Sequence, residues 1–245
     1  MKTALLALLF VAAPALAAPM ASDKSRYDAC IAIAQAEPQR GIETAQAWRI
    51  EGGGIPARHC LALAQFAAKD FAEALLSYEG AAMASEAAKD GQAVSLWSQG
   101  ADAAMLAGKP DAAVRFLDKA LAGDVSDKAQ ASIRVNRAEA LVDLKRNSEA
   151  AADLDKATKL DPAVRYGWLL QATLARRMAD FKTAEAAILK AAELEPDSAD
   201  VQFEAGNIAA AQGKDSLARA AWLAAARADP DSPAGLAANK ALQGD

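Results

Sequence analysis

The feature that most constrains the fold is an internal repeat with a period of about 34 residues. Pro162, Pro196 and Pro230 recur at this interval and are evenly spaced. Three further columns keep the same interval without a gap: Ala150, Ala184 and Ala218; Leu154, Ile188 and Trp222; Ala157, Ala191 and Ala225. The matching segments are 131–164, 165–198 and 199–232. A period of this length is typical of stacked repeats, in which each unit buries its apolar face only against its neighbours.

The period and the residue types in its columns resemble the tetratricopeptide repeat, a helix–turn–helix unit of about 34 residues. That family has a small residue followed four positions later by a large apolar one, and a closing proline. Trp168 stands where its first-helix aromatic falls, and Gly206 and Gly213 match its two favoured glycines. We expect the departures from this pattern to thin the packing between helices without abolishing it. They are Arg134 and Gln202 in the tryptophan column, and Leu141, Ala175 and Ala209 in the tyrosine column.

Two looser copies precede these three. One is marked by Ala113 and a longer turn at 123–126, and the other by Ala74 and extra residues near 89–91. The resemblance therefore covers about 55–232. It implies an all-α fold, a right-handed superhelical solenoid of about five helix–turn–helix repeats.

The segments on either side of the array are predicted to cap it. Residues 24–54 contain a helix pair broken at Pro38 and then a Gly-rich turn. This segment is either an N-terminal helical cap or a degenerate sixth repeat. Residues 233–245 are predicted to form a C-terminal capping helix, with Pro233 in its first turn and Gly244 after it.

Residues 1–18 are predicted to be a signal peptide. A positive charge precedes an apolar run at 4–13, and Ala15 and Ala17 form a small-x-small cleavage site. The run is shorter than the roughly 20 apolar residues that span a bilayer. An uncleaved anchor or a buried helix is the alternative. Cleavage near Ala17 or Ala18 would leave a periplasmic chain with no membrane span.

Composition narrows the classes of partner. The chain has a net charge of −5 and no basic patch, which argues against nucleic acid or anionic lipid as a partner. Aromatic residues make up only 5% of the chain, and no stretch alternates β-branched and polar residues as a strand would. We predict no cofactor.

Cys30 and Cys60 are the only cysteines. In an oxidising compartment an even pair favours a disulfide, and two buried thiols are the alternative. A bridge would fasten the N-terminal segment to the first repeat. His59 is the only histidine and has no other soft ligand nearby, so no metal site is predicted. Because adjacent helical residues do not face each other, His59 and Cys60 do not form a catalytic pair. We predict that the protein is not an enzyme.

In the family that this chain resembles, the first helices of the repeats line a concave groove that binds partners. Helical spacing selects the side chains that would point into it: His59, Leu63, Phe66, Asp102, Met105, Asn136, Glu139, Tyr166, Leu169, Thr173, Arg176, Arg177, Phe203 and Asn207. The predicted groove is apolar at both ends and polar between, with one cationic spot at Arg176 and Arg177. For any single residue, the alternative is an ordinary core or solvent-facing position.

These features together predict a periplasmic scaffold that binds a peptide or a partner protein in the concave groove. The alternatives are a small-ligand or glycan-binding protein and a structural subunit of a cell-envelope complex. A closed apolar pocket of ligand size would favour the small ligand, because small molecules prefer pockets that bury most of their surface. Repeat arrays share a scaffold while their groove residues vary, so the sequence specifies neither the partner nor the oligomeric state.

Overall fold

The computed structural model describes residues 23–244, so the predicted signal peptide at 1–18 lies outside the described residues. Within this range the chain forms thirteen helices and no strand. They are α1 (Asp23–Ala36), α2 (Pro38–Ile50), α3 (Gly54–Ala67), α4 (Phe71–Ala88), α5 (Ala93–Leu106), α6 (Pro110–Leu121), α7 (Asp127–Asp143), α8 (Asn147–Leu160), α9 (Arg165–Arg177), α10 (Phe181–Leu194), α11 (Ala199–Ala211), α12 (Asp215–Ala228) and α13 (Pro233–Gln243). None of these described helices is both long enough and apolar enough to cross a membrane.

The helices from α3 to α12 form five antiparallel pairs that stack in chain order. Each helix packs mainly against the helices before and after it. The first helices of successive pairs also touch one another, α7 with α9 and α9 with α11, whereas successive second helices stand further apart. This difference in spacing curves the array, so the first helices line its concave side and the second helices its convex side. The predicted all-α solenoid is confirmed.

The two helices of each pair cross at a buried alanine. The alanine in the same column of each second helix is at most 1% exposed: Ala74, Ala113, Ala150, Ala184 and Ala218. So small a side chain lets the two backbones approach closely, and a larger residue four positions later fills the adjoining space. A bulky replacement of one alanine would overpack the crossing, at a cost of roughly 1–3 kcal/mol.

The turn inside every pair has one backbone conformation. Its central residue is left-handed, with φ between 59° and 70°: Lys69, Gly108, Lys145, Ala179 and Gly213. The following N–H bonds to a carbonyl five residues back, as Asp180 does to Ala175 at 2.9 Å. These bonds satisfy carbonyls that the end of the first helix leaves open. Three of the five central residues are not glycine, and each of these stores backbone strain.

The tryptophan column is filled by different side chains that all make hydrogen bonds. Trp168 donates to the carbonyl of Pro162, and Gln202 donates to the carbonyl of Pro196 one repeat later, both at 2.9 Å. Arg134 instead donates to the buried carboxylate of Asp153 at 2.9 Å. Gln202 therefore keeps the hydrogen bond of the column but supplies less volume than an indole.

The N-terminal pair differs from the five pairs that follow. Only Glu37 separates α1 from α2, so the left-handed turn is missing, and α1 buries only Cys30 and Ala34. Cys30 forms a disulfide with Cys60 that fastens α1 to α3, with the two Cα atoms 6.2 Å apart.

Equivalent turn positions in successive repeats give a matched stability test. We expect Ala179→Gly to raise the free energy of unfolding by about 1 kcal/mol, because glycine adopts positive φ without a steric penalty. Gly213→Ala should lower it by a similar amount. Urea denaturation of both variants measures the two changes. Equal effects of the same sign would contradict the assigned turn conformation.

The disulfide should matter most for α1, because this helix buries so little surface of its own. Reduction, or the double change Cys30→Ala and Cys60→Ala, should destabilise the N-terminal cap by roughly 3–4 kcal/mol in the chain-entropy treatment of loop closure. Hydrogen exchange should then show early loss of protection in residues 23–36. Helix α13 at the opposite end is the internal control, and equal loss at both ends would contradict the expectation.

Candidate functional site

A cavity of about 270 Å³ lies on the concave side between α5 and α7. Four of the predicted groove residues line it together: Asp102, Met105, Asn136 and Glu139. Residues three apart share one face of a helix, which brings each pair to the same side. Leu106 adds to the apolar wall that Met105 provides. The cavity thus combines one apolar wall with an amide and two carboxyl groups.

The two carboxylates of this cavity have no cationic partner. No ion pair within residues 23–244 involves Asp102 or Glu139. Desolvation raises the pKa of Asp102, and the charge of Glu139 raises it further. A positive group placed between the two would favour the ionised form of both.

Tyr166 extends the site from α7 to α9. Its hydroxyl donates to Oε1 of Glu139 at 2.5 Å. Desolvation, then this hydrogen bond and the charge of Glu139, raise the pKa of Tyr166, so the hydroxyl stays protonated. Tyr166 and Leu169 also line a second cavity of about 570 Å³ that reaches Asp200 on α11. The two cavities meet at the Glu139–Tyr166 pair, and together they form what we call the concave track.

A residue from the next repeat changes the predicted cationic spot. Nε of Arg176 donates to Oε1 of Glu204 at 2.6 Å, and Nη2 donates to Oε2 at 3.2 Å. Glu204 is buried, so this pairing satisfies a charge that would otherwise be costly. Asn207 donates to the same carboxylate and accepts from Trp222. Arg176 therefore joins two repeats, Asn207 supports the Glu204 carboxylate from within the last repeat, and Arg177 is the exposed cation of the predicted pair.

Several predicted groove residues contribute to packing. Leu63 and Phe66 are half-buried against the main core, and the Phe66 ring lies 5.3 Å from that of Phe71. Thr173 and Phe203 are half-buried on α9 and α11. None of these side chains lines either of the two cavities.

His59 connects three successive first helices. Nδ1 lies 2.9 Å from the hydroxyl of Tyr27 on α1, and Nε2 lies 3.1 Å from Oε1 of Gln99 on α5. Because an amide oxygen only accepts, Nε2 carries the hydrogen and Nδ1 accepts from Tyr27. Burial lowers the pKa of His59, which the hydrogen bond to Gln99 offsets only in part.

Sequence reasoning missed Tyr27, Gln99, Leu106 and Glu204. In the sequence, Glu204 stands out only because the equivalent position one repeat earlier is the apolar Leu170. Tyr27 and Gln99 lie outside the strict columns of the repeat, so their contacts with His59 had no periodic signal.

A family model for the tetratricopeptide repeat matches residues 98–164 and 169–233. No curated protein sequence matches the chain. Among solved structures, YrrB, a TPR protein with an unusual peptide-binding site, is 18% identical, with a TM-score of 0.59 over 80% of this chain and 96% of that one. PilF of Pseudomonas aeruginosa is 14% identical, with a TM-score of 0.67 over 90% and 100%. MamA is 17% identical, with a TM-score of 0.61 over 73% and 93%. At these identities the likeness shows the fold alone.

The lowered pKa of His59 predicts a pH dependence of stability. The unfolded chain binds the proton first as pH falls below the ordinary histidine pKa of about 6.5. The stabilisation from neutral His59 is therefore complete above that pH and is lost as pH drops toward the folded-state pKa. His59→Gln keeps a polar side chain that does not titrate.

Between pH 6.5 and 5, wild type should lose stability relative to His59→Gln in parallel urea titrations. The difference between the two proteins should be constant above pH 7. A difference that is independent of pH throughout would contradict the assignment.

Proposed function

Because the chain belongs to the tetratricopeptide-repeat family, we propose that it is an exported scaffold that binds an extended segment of a partner protein along the concave track. The bound segment carries a basic side chain that enters the cavity between α5 and α7. The observation that carries this proposal is the pair of carboxylates, Asp102 and Glu139, that face one cavity without a cation.

The chemistry of this cavity suits lysine or arginine. Met105 and Leu106 offer apolar contact for the methylene stem, while the two carboxylates accept hydrogen bonds from the charged head. Asn136 can donate to and accept from a peptide backbone. YrrB supports the proposal as a protein of this fold with a peptide-binding site.

Export to the periplasm is supported by two features at the N-terminal end. The signal-like pattern at 1–18 is typical of secreted chains. The Cys30–Cys60 disulfide suits an oxidising compartment. Cys60 is bonded to Cys30, and both ring nitrogens of His59 have hydrogen-bond partners. Both side chains therefore have structural roles, which suits a binding protein.

A small-molecule ligand fits this surface less well than a peptide does. The carboxylate-lined cavity, at about 270 Å³, lies below the range of roughly 300–1,000 Å³ usual for small-molecule pockets. The neighbouring 570 Å³ cavity is bordered by charged side chains from three first helices. An extended segment can occupy both cavities in sequence.

Peptide display tests the proposal with a library of random sequences. Peptides selected on the purified mature protein should be enriched in lysine or arginine at one fixed position. Asp102→Asn with Glu139→Gln should weaken the selected peptides at least about tenfold, because each charge-assisted hydrogen bond contributes roughly 1.5–3 kcal/mol. Binding by the wild type should also weaken with salt.

Asp111→Asn with Asp124→Asn is the matched control, since it removes the same charge outside the concave track. An equal loss of peptide affinity in this control would mean that the net charge of the protein, and not the cavity, causes the effect. Selection of peptides without a basic residue would rule out the assigned role of the cavity.

A further inference from the structure

The convex side carries an apolar groove between α10 and α12, with α11 as its floor. Its volume is about 530 Å³. Ile188, Leu189, Ala205, Ile208, Leu217 and Ala224 provide much of its lining. Leu189 and Leu217 flank it with 64% and 60% of their surface exposed. We call this surface the convex groove.

A smaller version of the same groove lies one repeat earlier. Every residue that lines this cavity of about 220 Å³ stands one full repeat period before a residue that lines the convex groove. Because the two cavities occupy the same place in the repeat, a difference between their linings is not required by the fold.

Between the two copies three polar positions become apolar, while Ala151 and Met178 of the earlier cavity correspond to Glu185 and Gln212. Asp155, Gln171 and Thr183 of the earlier cavity correspond to Leu189, Ala205 and Leu217. The convex groove also extends past Gln202 and Ala224. The larger residues Trp168 and Lys190 stand at these two positions in the earlier repeat. Packing within one chain does not account for the polar-to-apolar exchanges, because they expose apolar surface.

The same chain also presents an exposed apolar helix face on its convex side. Ala72, Leu76, Gly80, Met83 and Ala87 follow one face of α4 at intervals of three and four residues. Leu76 is 55% exposed and Met83 is 58% exposed. We call this surface the α4 stripe.

Gly80 at the centre of the α4 stripe is not required by the fold of a single chain. A Cβ added there would meet only Nη1 of Arg58, at 3.6 Å, whereas one added at Gly100 would lie 2.9 Å from Phe116. Glycine weakens a helix interior relative to alanine. With no side chain at Gly80, another molecule could approach the α4 backbone closely once the Arg58 side chain moves aside.

The charges beside these two surfaces are complementary. Helix α4 contains three glutamates, Glu73, Glu79 and Glu86, and no basic residue. Helix α12 has two arginines and one aspartate, whereas Lys214 at the rim of the convex groove is paired at 2.6 Å with Glu185 of the same lining. Helix α10 has as many lysines as glutamates. An acidic helix with an apolar face thus matches an apolar groove beside a helix with an excess of arginine.

We propose that the α4 stripe of one copy docks in the convex groove of a second copy. Leu76 and Met83 are separated by about 10 Å along the helix axis, as are Leu217 and Ala224, which have the same spacing in sequence. Gly80 lets the α4 backbone approach the groove between these two side chains. Because the contact joins different surfaces, a docked pair still presents one free stripe on one copy and one free groove on the other. The assembly is a head-to-tail chain or a closed ring.

Sedimentation of the mature protein with two surface variants tests this arrangement. The stripe variant is Leu76→Glu with Met83→Glu, and the groove variant is Leu189→Glu with Leu217→Glu. The four side chains are all more than half exposed, so the fold should tolerate the changes. Ile50→Glu with Leu236→Glu changes two comparably exposed apolar residues outside both surfaces and serves as the matched control.

Wild type and the control should associate increasingly with concentration, while each variant alone should associate at least tenfold more weakly. An equimolar mixture of the two variants should form a dimer and nothing larger, because only one functional pair of surfaces remains. Recovery of association on mixing also shows that both variants are folded. Gly80→Leu should weaken association, and Gly80→Ala less so.

Two results would overturn the proposal. One is a wild type that stays monomeric up to several hundred micromolar, which would leave the groove to a different protein. The other is a mixture of variants that stays monomeric although wild type associates. The outcome is independent of the peptide experiment, because the concave track is unchanged in all of these variants.

Discussion

The close crossing of two helices at a buried alanine is the constraint on which the other features of the array depend. With no side chain beyond Cβ at that point, the crossing fixes the distance between the first and second helix of a pair. The left-handed turn, with its hydrogen bond five residues back, then fixes how the second helix leaves the first. These two local features recur in all five pairs. Each pair therefore presents a similar surface to its neighbour, and stacking follows.

Contacts between neighbouring pairs are less uniform than contacts within them. Trp168 and Gln202 make the same hydrogen bond to the preceding repeat, whereas Arg134 in the same column reaches a buried aspartate of its own pair. Arg137 donates to that aspartate and also to Asp118 on α6, so a charged network crosses the junction between α6 and α7. Stability in a solenoid is roughly a sum of such neighbour terms. One junction can therefore change chemistry, or open a cavity, while the next retains its packing.

Much of the fold could be predicted from the sequence, because periodic columns report local geometry. The closing prolines, the alanine crossings and the helix order all follow from residues within one repeat. The contents of the concave side were less predictable. The spacing selected Arg176 as an exposed cation, yet Glu204 in the next repeat neutralises it. That contact depends on how one repeat is rotated against the next, which a period alone does not specify. Asp102 and Glu139 were selected by the same spacing and line one cavity, but the lack of a cation beside them required the structure.

Alternation of faces along each first helix separates the two proposed functions. On α11, Asp200 lines the larger cavity of the concave track, whereas Ala205 and Ile208 line the convex groove. A substitution for one surface therefore leaves the other largely unchanged. If copies join through their convex surfaces, the concave tracks recur at a regular spacing along the assembly. Several weak sites held at a fixed spacing bind a repetitive or multivalent partner far more tightly than one site does. A single cavity that recognises one basic side chain is enough for such a scaffold, because avidity supplies the remaining affinity.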